Sequence, residues 1–420
     1  MTREINVQAA ANRFLAQISG NLGAYMEACL HCGHCADACH FYAVTDDPRY
    51  TPAYKLFPMA RTYKRSKPPL SWFGGAPKVT EKDLQEWEEL LFDSCTMCGR
   101  CTMVCPMGID IASIVAASRQ AFVAAGLGPP DLLQAAENAR DKGSPLGVSA
   151  DVLADRVEWL ADDNEVDIPL DKEKADVLLT VSSIELMKYP DSLVAMAKLL
   201  NHAGIDWTLS SKGYEATNFG FLSGRSDIAK IMIQRIVDAA ESVGAKTVVI
   251  PECGHAYGVL RWAGANILGK PLPFEVVHIT EFLADLKRRG KLKLKPMGDA
   301  VTYHDPCQIS RRGGATQAAR DLLDGFATDF REMTPTGNHN WCCGGGGGVQ
   351  AMSRAAGLRH KVFKLKMDQV EQTGADTMLS ACANCRLTMD ESKEHWHWDK
   401  DLGSLVEVLA EHIDESNAAA

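Results

Sequence analysis

The feature that most constrains this chain is a pair of adjacent cysteines that runs into five consecutive glycines, at residues 341–348. Adjacent cysteines rarely bridge each other, because the geometry of a disulfide is demanding. Cys307 lies upstream of this loop, and Cys382 and Cys385 form a C-x-x-C downstream. Five thiols in this pattern predict a metal centre with more ligands than the four of a zinc site. The glycines let the backbone approach a bulky inorganic ligand and direct N–H groups at its sulfurs.

A second cysteine pattern, C-x2-C-x2-C-x3-C, occurs at Cys29 and again at Cys95. This is the two-cluster ferredoxin run, in which three cysteines of one copy and the last cysteine of the other bind one [4Fe–4S] cluster. The rule predicts one cluster on Cys29, Cys32, Cys35 and Cys105, and another on Cys95, Cys98, Cys101 and Cys39. The last cysteine of the first copy, Cys39, is followed by His40, whereas Cys105 in the second copy is followed by a proline. We interpret His40 as a neighbour that tunes the cluster's reduction potential, with a ligand role as the alternative.

The composition narrows the classes of protein that remain. All 14 cysteines fall in these motifs or in a position related to one, which in a reducing compartment indicates metal rather than disulfides. The net charge of −10 argues against a nucleic-acid-binding protein. We see no secretory signal, and the most apolar helical stretch, residues 109–127, is interrupted by polar side chains. We therefore expect a cytoplasmic protein that reaches the inner face of the membrane only through partner subunits.

From Ala175 onward the sequence pattern is no longer helical throughout, and short apolar runs appear between the helical stretches. Short apolar runs typical of buried strands, at 177–181 and 247–250 in particular, alternate with helical stretches, and the same alternation returns after residue 300. Strands that alternate with helices predict a Rossmann-like parallel sheet covered by helices. Superposing the two halves aligns Cys253 with Cys382 and, approximately, Ser183 with Cys307. We interpret the first half as a degenerate copy of the second.

With these motifs in place, the chain resembles the CCG-domain iron–sulfur proteins, which include the catalytic subunit of heterodisulfide reductases and the DsrK-type subunits. The resemblance covers nearly the whole chain, and residues 252–256 look most like the DsrK-type branch. It implies an α+β multidomain protein. We predict a helical ferredoxin domain with two [4Fe–4S] clusters at 1–126, a linker at 127–174, a degenerate CCG α/β half at 175–298 and an intact CCG half at 299–420.

The resemblance also implies the chemistry of the glycine-rich loop. Five cysteines would hold a noncubane [4Fe–4S] cluster at which a disulfide is cleaved or formed: Cys307, Cys342, Cys343, Cys382 and Cys385. Release of thiols needs proton donors, and His255 and His304, each close to a motif cysteine, are our candidates; the alternative is that they only hydrogen-bond a sulfur. Cys253 either contacts the substrate sulfur or is a buried remnant of the duplication.

These observations predict an iron–sulfur subunit of a sulfur-redox complex, a thiol–disulfide oxidoreductase. Its expected partners are a membrane cytochrome b subunit or a flavoprotein subunit, and a small cysteine-bearing sulfur carrier of the DsrC type or a small thiol or disulfide. The alternative is the electron-transfer subunit of a flavin-dependent 2-hydroxy acid oxidase that acts on glycolate or lactate. The glycolate oxidase iron–sulfur subunit has a similar layout of two ferredoxin motifs followed by CCG domains.

Overall fold

The computed structural model describes residues 4–18, 20–67, 69, 72 and 77–417. The chain divides into two compact units. The cluster unit contains the described residues of Met1–Gln134, Phe219–Ser226 and Trp341–Leu365. The sheet unit contains those of Ala135–Asn218, Asp227–Asn340 and Lys366–Ala420. The domain boundaries that we predict from the sequence stay predictions.

The N-terminal part of the cluster unit is helical. Its α-helices are α1 (Val7–Leu15), α2 (Gly20–Ala28), α3 (His34–Asp37), α4 (His40–Thr45), α5 (Phe57–Ser66), α6 (Glu81–Phe92), α7 (Arg100–Met103) and α8 (Ile111–Ala124). Thr80 and Asp83 form a capping box that starts α6, and the Asp110 carboxylate accepts from the Ser113 amide at the start of α8. Helix α8 is central because apolar residues on several sides of it are buried.

Two further helices follow in the segment predicted to be a linker. They are α9 (Pro130–Lys142) and α10 (Ala150–Asp163). Ser149 caps the N-terminus of α10, and the buried side chains of Leu153, Val157 and Leu160 recur at helical spacing. The segment predicted to be a linker therefore contains regular helical structure.

The first half of the sheet unit has a four-stranded parallel sheet of order β2-β1-β3-β4. The strands are β1 (Val177–Leu179), β2 (Trp207–Thr208), β3 (Thr247–Ile250) and β4 (Glu275–His278). The helices along this part of the chain are α11 (Ser183–Lys188), α12 (Pro190–His202), α13 (Phe219–Ser223), α14 (Ser226–Val243), α15 (Gly254–Gly258), α16 (Gly264–Leu268) and α17 (Ile279–Arg288), with α13 in the cluster unit.

The second half repeats this topology with a parallel sheet of order β6-β5-β7-β8. The strands are β5 (Met297–His304), β6 (Ala327–Phe330), β7 (Thr377–Ser380) and β8 (Asp401–Ser404). The accompanying helices are α18 (Thr316–Leu323), α19 (Ala356–Thr373), α20 (Ala383–Trp396) and α21 (Leu405–Glu411). The predicted fold class, a helical dicluster domain followed by two parallel α/β halves, is confirmed.

Strand register relates the two halves residue by residue. Val177 pairs with Thr247 in the first sheet, as Val301 pairs with Thr377 in the second. Ser183 lies as far beyond Val177 as Cys307 lies beyond Val301, so Ser183 occupies the position equivalent to Cys307.

The cysteines at the ends of β3 and β7 also correspond. Cys253 is the N-cap of α15 and Cys382 is the N-cap of α20. Pro251 and Glu252 separate β3 from Cys253, whereas Ala381 alone separates β7 from Cys382. The first half thus carries one extra residue before the equivalent cysteine.

One apolar core runs through both halves of the sheet unit and includes Leu179, Val249, Val301 and Leu379, all almost completely buried. Strands that are apolar on both faces are typical of parallel sheets covered by helices. Within the described part of the chain, no helix combines the length and the apolar character needed to cross a membrane.

Candidate metal centres

The two ferredoxin motifs of the cluster unit adopt the same backbone conformation. His31 and Met97, at equivalent positions, have φ of 53° and 52°, and Gly33 and Gly99 have φ of 86° and 73°. Each glycine precedes a one-turn helix, α3 or α7, that carries the third cysteine of its motif. Left-handed residues fold each C-x2-C-x2-C loop back on itself, so that its thiols converge.

The outer cluster cavity takes three cysteines from the first motif and one from the second. It is lined by Cys29, Cys32, Cys35 and Cys105. Leu56, Ile109 and Ile111 supply an apolar wall. Cys32 is exposed and Cys35 is buried. Four convergent thiols with an apolar surround fit a [4Fe–4S] cluster.

The inner cluster cavity has the complementary set of cysteines. Cys39, Cys95, Cys98 and Cys101 line it. The buried His40 and Lys55 line the same cavity, and the Lys55 ammonium donates to the carbonyl of Ser94. Burial raises the pKa of the Cys39 thiol, and the nearby Lys55 charge lowers it in part. A cation at this position favours thiolate, the form that binds iron.

The glycine-rich loop also belongs to the cluster unit, and Cys342 and Cys343 are almost fully buried in it. Gly347 has φ of +65°, and a Cβ built on it would lie 2.8 Å from the Cys95 carbonyl oxygen. Gly348 has φ of +85°, and its Cβ would lie 2.8 Å from a methyl group of Leu132. These two glycines are therefore required by close packing as well as by backbone conformation.

The remaining cysteines of the CCG pattern lie at the carboxyl ends of adjacent parallel strands in the sheet unit. Cys307 follows β5, Cys382 caps α20 after β7, and Cys385 lies in the first turn of that helix. All three are buried. Because β5 and β7 are neighbours, their carboxyl ends open on the same edge of the sheet, the usual position of a ligand site in such folds.

His304 lies at this edge, with a ring nitrogen within 4.8 Å of the Cys385 sulfur. Its side chain is fully buried, and burial holds the pKa of the imidazole well below its usual value. Among the described residues, neither ring nitrogen has a hydrogen-bond partner. A buried polar ring that lacks a protein partner beside a thiol fits a site built to hold another group.

Cys253 lies near the second-half cysteines. Its sulfur is 3.3 Å from the Thr217 hydroxyl, and burial together with the negative charge of Cys382 raises the pKa of its thiol. The Ala383 amide donates to the Glu252 carbonyl over 2.6 Å, which ties the two equivalent strand ends together. His255 is buried in the first turn of α15. The structure thus places Cys253 close to Cys382, which the alignment of the two halves did not predict.

Two buried carboxylates, Glu185 and Glu252, lie around Cys253, and the sequence did not single out Glu185. Glu185 accepts from the Glu252 amide over 2.9 Å, and burial raises the pKa of Glu185 to about 7. Glu252 accepts from the Ser404 hydroxyl over 2.7 Å, and burial raises its pKa to about 8. The one available signal was the Ser182-x-x-Glu185 capping box, which predicts a helix start and says nothing about burial.

Two family models match this chain. A "4Fe-4S dicluster domain" matches residues 25–109, which contain all eight ferredoxin cysteines, and a "Cysteine-rich domain", named CCG, matches residues 301–390, which contain all five cysteines of the second pattern. Neither model covers half of the chain.

Several curated proteins are similar along most of the chain. One subunit of the dihydromethanophenazine:CoB–CoM heterodisulfide reductase of Methanosarcina barkeri is 28% identical over 94% of this chain and 95% of its own. An Hdr-like menaquinol oxidoreductase iron–sulfur subunit of Archaeoglobus profundus is 26% identical over 92% of this chain and 79% of its own. An EtfAB:quinone oxidoreductase of Syntrophomonas wolfei is 25% identical over 87% of this chain and 54% of its own.

The predicted resemblance is thereby confirmed: the chain carries a 4Fe-4S dicluster domain and a CCG cysteine-rich domain, and along nearly its whole length it is similar to a subunit of the heterodisulfide reductases.

Proposed function

We propose that this chain is the iron–sulfur subunit of a sulfur-redox complex, in which electrons pass through two cubane clusters to or from a noncubane centre that cleaves or forms a disulfide. The observation that carries the proposal is the pair of four-cysteine cavities together with a complete CCG pattern on the same chain. The similarity to heterodisulfide reductase subunits supports an oxidoreductase that works by electron transfer.

The ligand sets follow from the cavities and the motif. We assign the outer cluster to Cys29, Cys32, Cys35 and Cys105, and the inner cluster to Cys39, Cys95, Cys98 and Cys101. Exposed Cys32 makes the outer cluster the point at which an external partner exchanges electrons. Buried Lys55 and His40 would tune the inner cluster without solvent access.

We assign the noncubane [4Fe–4S] cluster to Cys307, Cys342, Cys343, Cys382 and Cys385, the five cysteines within the CCG match. When bound, such a cluster supplies a place where a substrate sulfur can be held between single-electron transfers. The chain's own residues supply the surroundings. Gly347 and Gly348 let the glycine-rich loop pack closely against Cys95 and Leu132, and His304 presents a buried ring nitrogen close to Cys385.

Three further residues are proposed to act on the substrate. Cleavage of one disulfide takes up two electrons and two protons and yields two thiols, and formation of a disulfide releases them. His255 and His304 would exchange those protons. Cys253, next to Cys382 and the Thr217 hydroxyl, would contact the substrate sulfur. Its thiol would also supply a polarisable wall for that sulfur.

The partners follow from the need for an electron source and a sulfur substrate. Relatives named as quinone and menaquinol oxidoreductases support a membrane cytochrome b subunit or a flavoprotein subunit as the electron partner. The substrate would be a cysteine-bearing sulfur carrier of the DsrC type or a small thiol or disulfide. Attachment to such a partner would place the chain at the inner face of the membrane.

The decisive experiment combines isolation of the complex with a ligand variant. The tagged protein is purified anaerobically from its native cells, and its partners, iron content and EPR spectra are measured. We expect Cys342→Ser to abolish the unusual EPR signal and the disulfide chemistry, while the signals of the two cubane clusters persist.

Cys253→Ser serves as the matched control for the EPR signals alone, because it removes a buried cysteine outside the three ligand sets and should keep all three signals. Full disulfide turnover by Cys342→Ser would contradict the proposal. Copurification with a flavin 2-hydroxy acid dehydrogenase as the partner would support the alternative, an electron-transfer subunit.

A further inference from the structure

Helix α8 of the cluster unit carries a fully buried arginine, Arg119. All five N–H groups of its guanidinium donate to main-chain carbonyls: Leu91 (3.0 Å), Phe92 (3.4 Å), Cys95 (2.9 Å), Leu222 (2.8 Å) and Gly347 (2.5 Å). Burial lowers the pKa of Arg119 to about 10, so the side chain stays charged at neutral pH. A buried charge is unfavourable unless its hydrogen bonds are made, and here every donor is used.

The five acceptors belong to three segments that are far apart in the chain. Leu91 and Phe92 end α6 and lead into the second ferredoxin motif at Cys95, Leu222 lies in α13, and Gly347 lies in the glycine-rich loop. A planar guanidinium has a fixed arrangement of donors, so it holds these carbonyls at set distances from one another. Arg119 therefore fixes the position of the Cys95 loop with respect to the glycine-rich loop within the cluster unit.

The two loops that Arg119 joins meet at their sulfur-bearing residues. The Cys342 thiol donates to the Thr96 hydroxyl over 3.6 Å. The thiols of Cys98 and Cys342 also form a hydrogen bond with each other. The Arg100 guanidinium stacks on the Trp341 ring, 3.5 Å from its centroid. A proposed ligand of the inner cluster and a proposed ligand of the noncubane cluster are thus adjacent.

We propose that Arg119 is a positioning residue for electron transfer: it holds the Cys95–Cys98 loop against Cys342, so that the inner cluster exchanges electrons directly with the noncubane centre. The inference rests on the proposed function for the identity of the two clusters. One electron moves across this contact at a time, and two such transfers accompany each disulfide. The outer cluster then exchanges electrons with the partner subunit and the inner cluster.

Three variants and a control test this role. Arg119→Met removes all five hydrogen bonds and puts an unbranched apolar side chain in place of the arginine. Arg119→Lys keeps the charge but cannot donate to all five carbonyls. Gly347→Ala leaves Arg119 intact but places a Cβ against the Cys95 carbonyl. Arg13→Met is the matched control. Arg13 bonds Gln120 and Ser226 in the same unit, at 2.7 Å and 2.6 Å, and both partners lie outside the Cys95 loop and the glycine-rich loop.

The measurements separate positioning from a general structural role. Amide hydrogen exchange is followed in peptides that cover 95–98, 345–350 and, as an internal reference, 29–35. Reoxidation of the inner cluster by added disulfide is followed by rapid freezing and EPR. For Arg119→Met we expect exchange at the first two segments to rise by about tenfold. We also expect reoxidation to slow by about tenfold to a hundredfold, with normal iron content and an unchanged outer cluster.

Arg119→Lys is expected to fall between wild type and Arg119→Met, and Arg13→Met to match wild type. Wild-type reoxidation and exchange in Arg119→Met would overturn the proposal. If Arg119→Met does not fold, Gly347→Ala decides: slowed reoxidation with full iron supports the proposal, and a wild-type rate overturns it. A wild-type protein without disulfide chemistry would instead refute the proposed function, while the hydrogen-exchange result would still report on the positioning role.

Discussion

The two halves of the sheet unit have the same topology but carry different residues at the equivalent edge of the sheet. In the second half, the edge of the sheet carries Cys307, Cys382 and Cys385, and the buried ring of His304 has no hydrogen-bond partner among the described residues. In the first half, Ser183 occupies the position of Cys307, and its amide donates to the Glu215 carboxylate over 2.8 Å. In the first half a carboxylate accepts the backbone amide at this position, whereas in the second half the equivalent position carries a cysteine that we propose as a cluster ligand.

This difference shows that the scaffold and the site are separable. Glu215 also accepts from the Thr217 amide over 2.8 Å, and Glu185 accepts from the Ser182 hydroxyl over 2.7 Å. Carboxylates thus satisfy strand-end and helix-start amides in the first half. A parallel sheet with two covered faces does not require metal ligands at its carboxyl edge, because its stability comes from the core between sheet and helices.

The largest expected effect comes from exchanging the equivalent residues of the two halves. Cys307→Ser should lower the iron content and abolish the unusual EPR signal and disulfide turnover, because it removes a proposed ligand of the proposed noncubane centre. Ser183→Cys, the same exchange in reverse, should change neither iron content nor turnover, because one cysteine does not form a cluster site. Iron analysis and EPR of both purified variants check this. A second unusual signal in Ser183→Cys would break the comparison.

The next largest effect concerns the hydrogen bonds that close the first half. Glu215→Ala should lower the free energy of unfolding by about 2 to 5 kcal/mol, because it leaves the buried Ser183 and Thr217 amides without an acceptor. Glu215→Gln is the matched control, since its amide oxygen can still accept one of these bonds. Anaerobic denaturant unfolding measures the difference. A loss of EPR signals in a folded Glu215→Ala protein would show that the first half also supports the cluster sites.

The smallest effect is a pH dependence of stability. The pKa of Glu185 is raised from 4.5 to about 7 by burial, so the folded state binds more protons than the unfolded state between these values. The stability contribution of the neutral carboxyl is complete below pH 4.5 and is lost as the pH rises through about 7, a change of about 3 kcal/mol.

Glu185→Gln should therefore reduce the fall in unfolding free energy between about pH 5 and about pH 8. Denaturant unfolding of both proteins across this range provides the measurement. Glu215 and Glu252, whose pKa values are also raised by burial, should preserve part of the slope in the variant. An unchanged slope would mean that Glu185 is ionised in the folded protein.

Local sequence patterns predicted much of this molecule. The apolar runs at 177–181 and 247–250 correspond to β1 and β3, and the cysteine spacing matches the two cavities. Strands β4, β6 and β8 were not predicted from the sequence. β8, Asp401–Ser404, carries an acid, a glycine and a serine, so it has little strand propensity of its own and forms by pairing with β7.

The sequence by itself predicted iron–sulfur chemistry and determined the class of fold, because cysteine spacing and apolar periodicity are local properties that a chain displays before it folds. Only the tertiary structure decided how the glycine-rich loop meets the second ferredoxin motif. Arg119 read as a polar interruption of an apolar helix, yet it binds Gly347, which lies 228 positions away in the chain. Such a contact depends on packing between distant segments, and no local pattern encodes it.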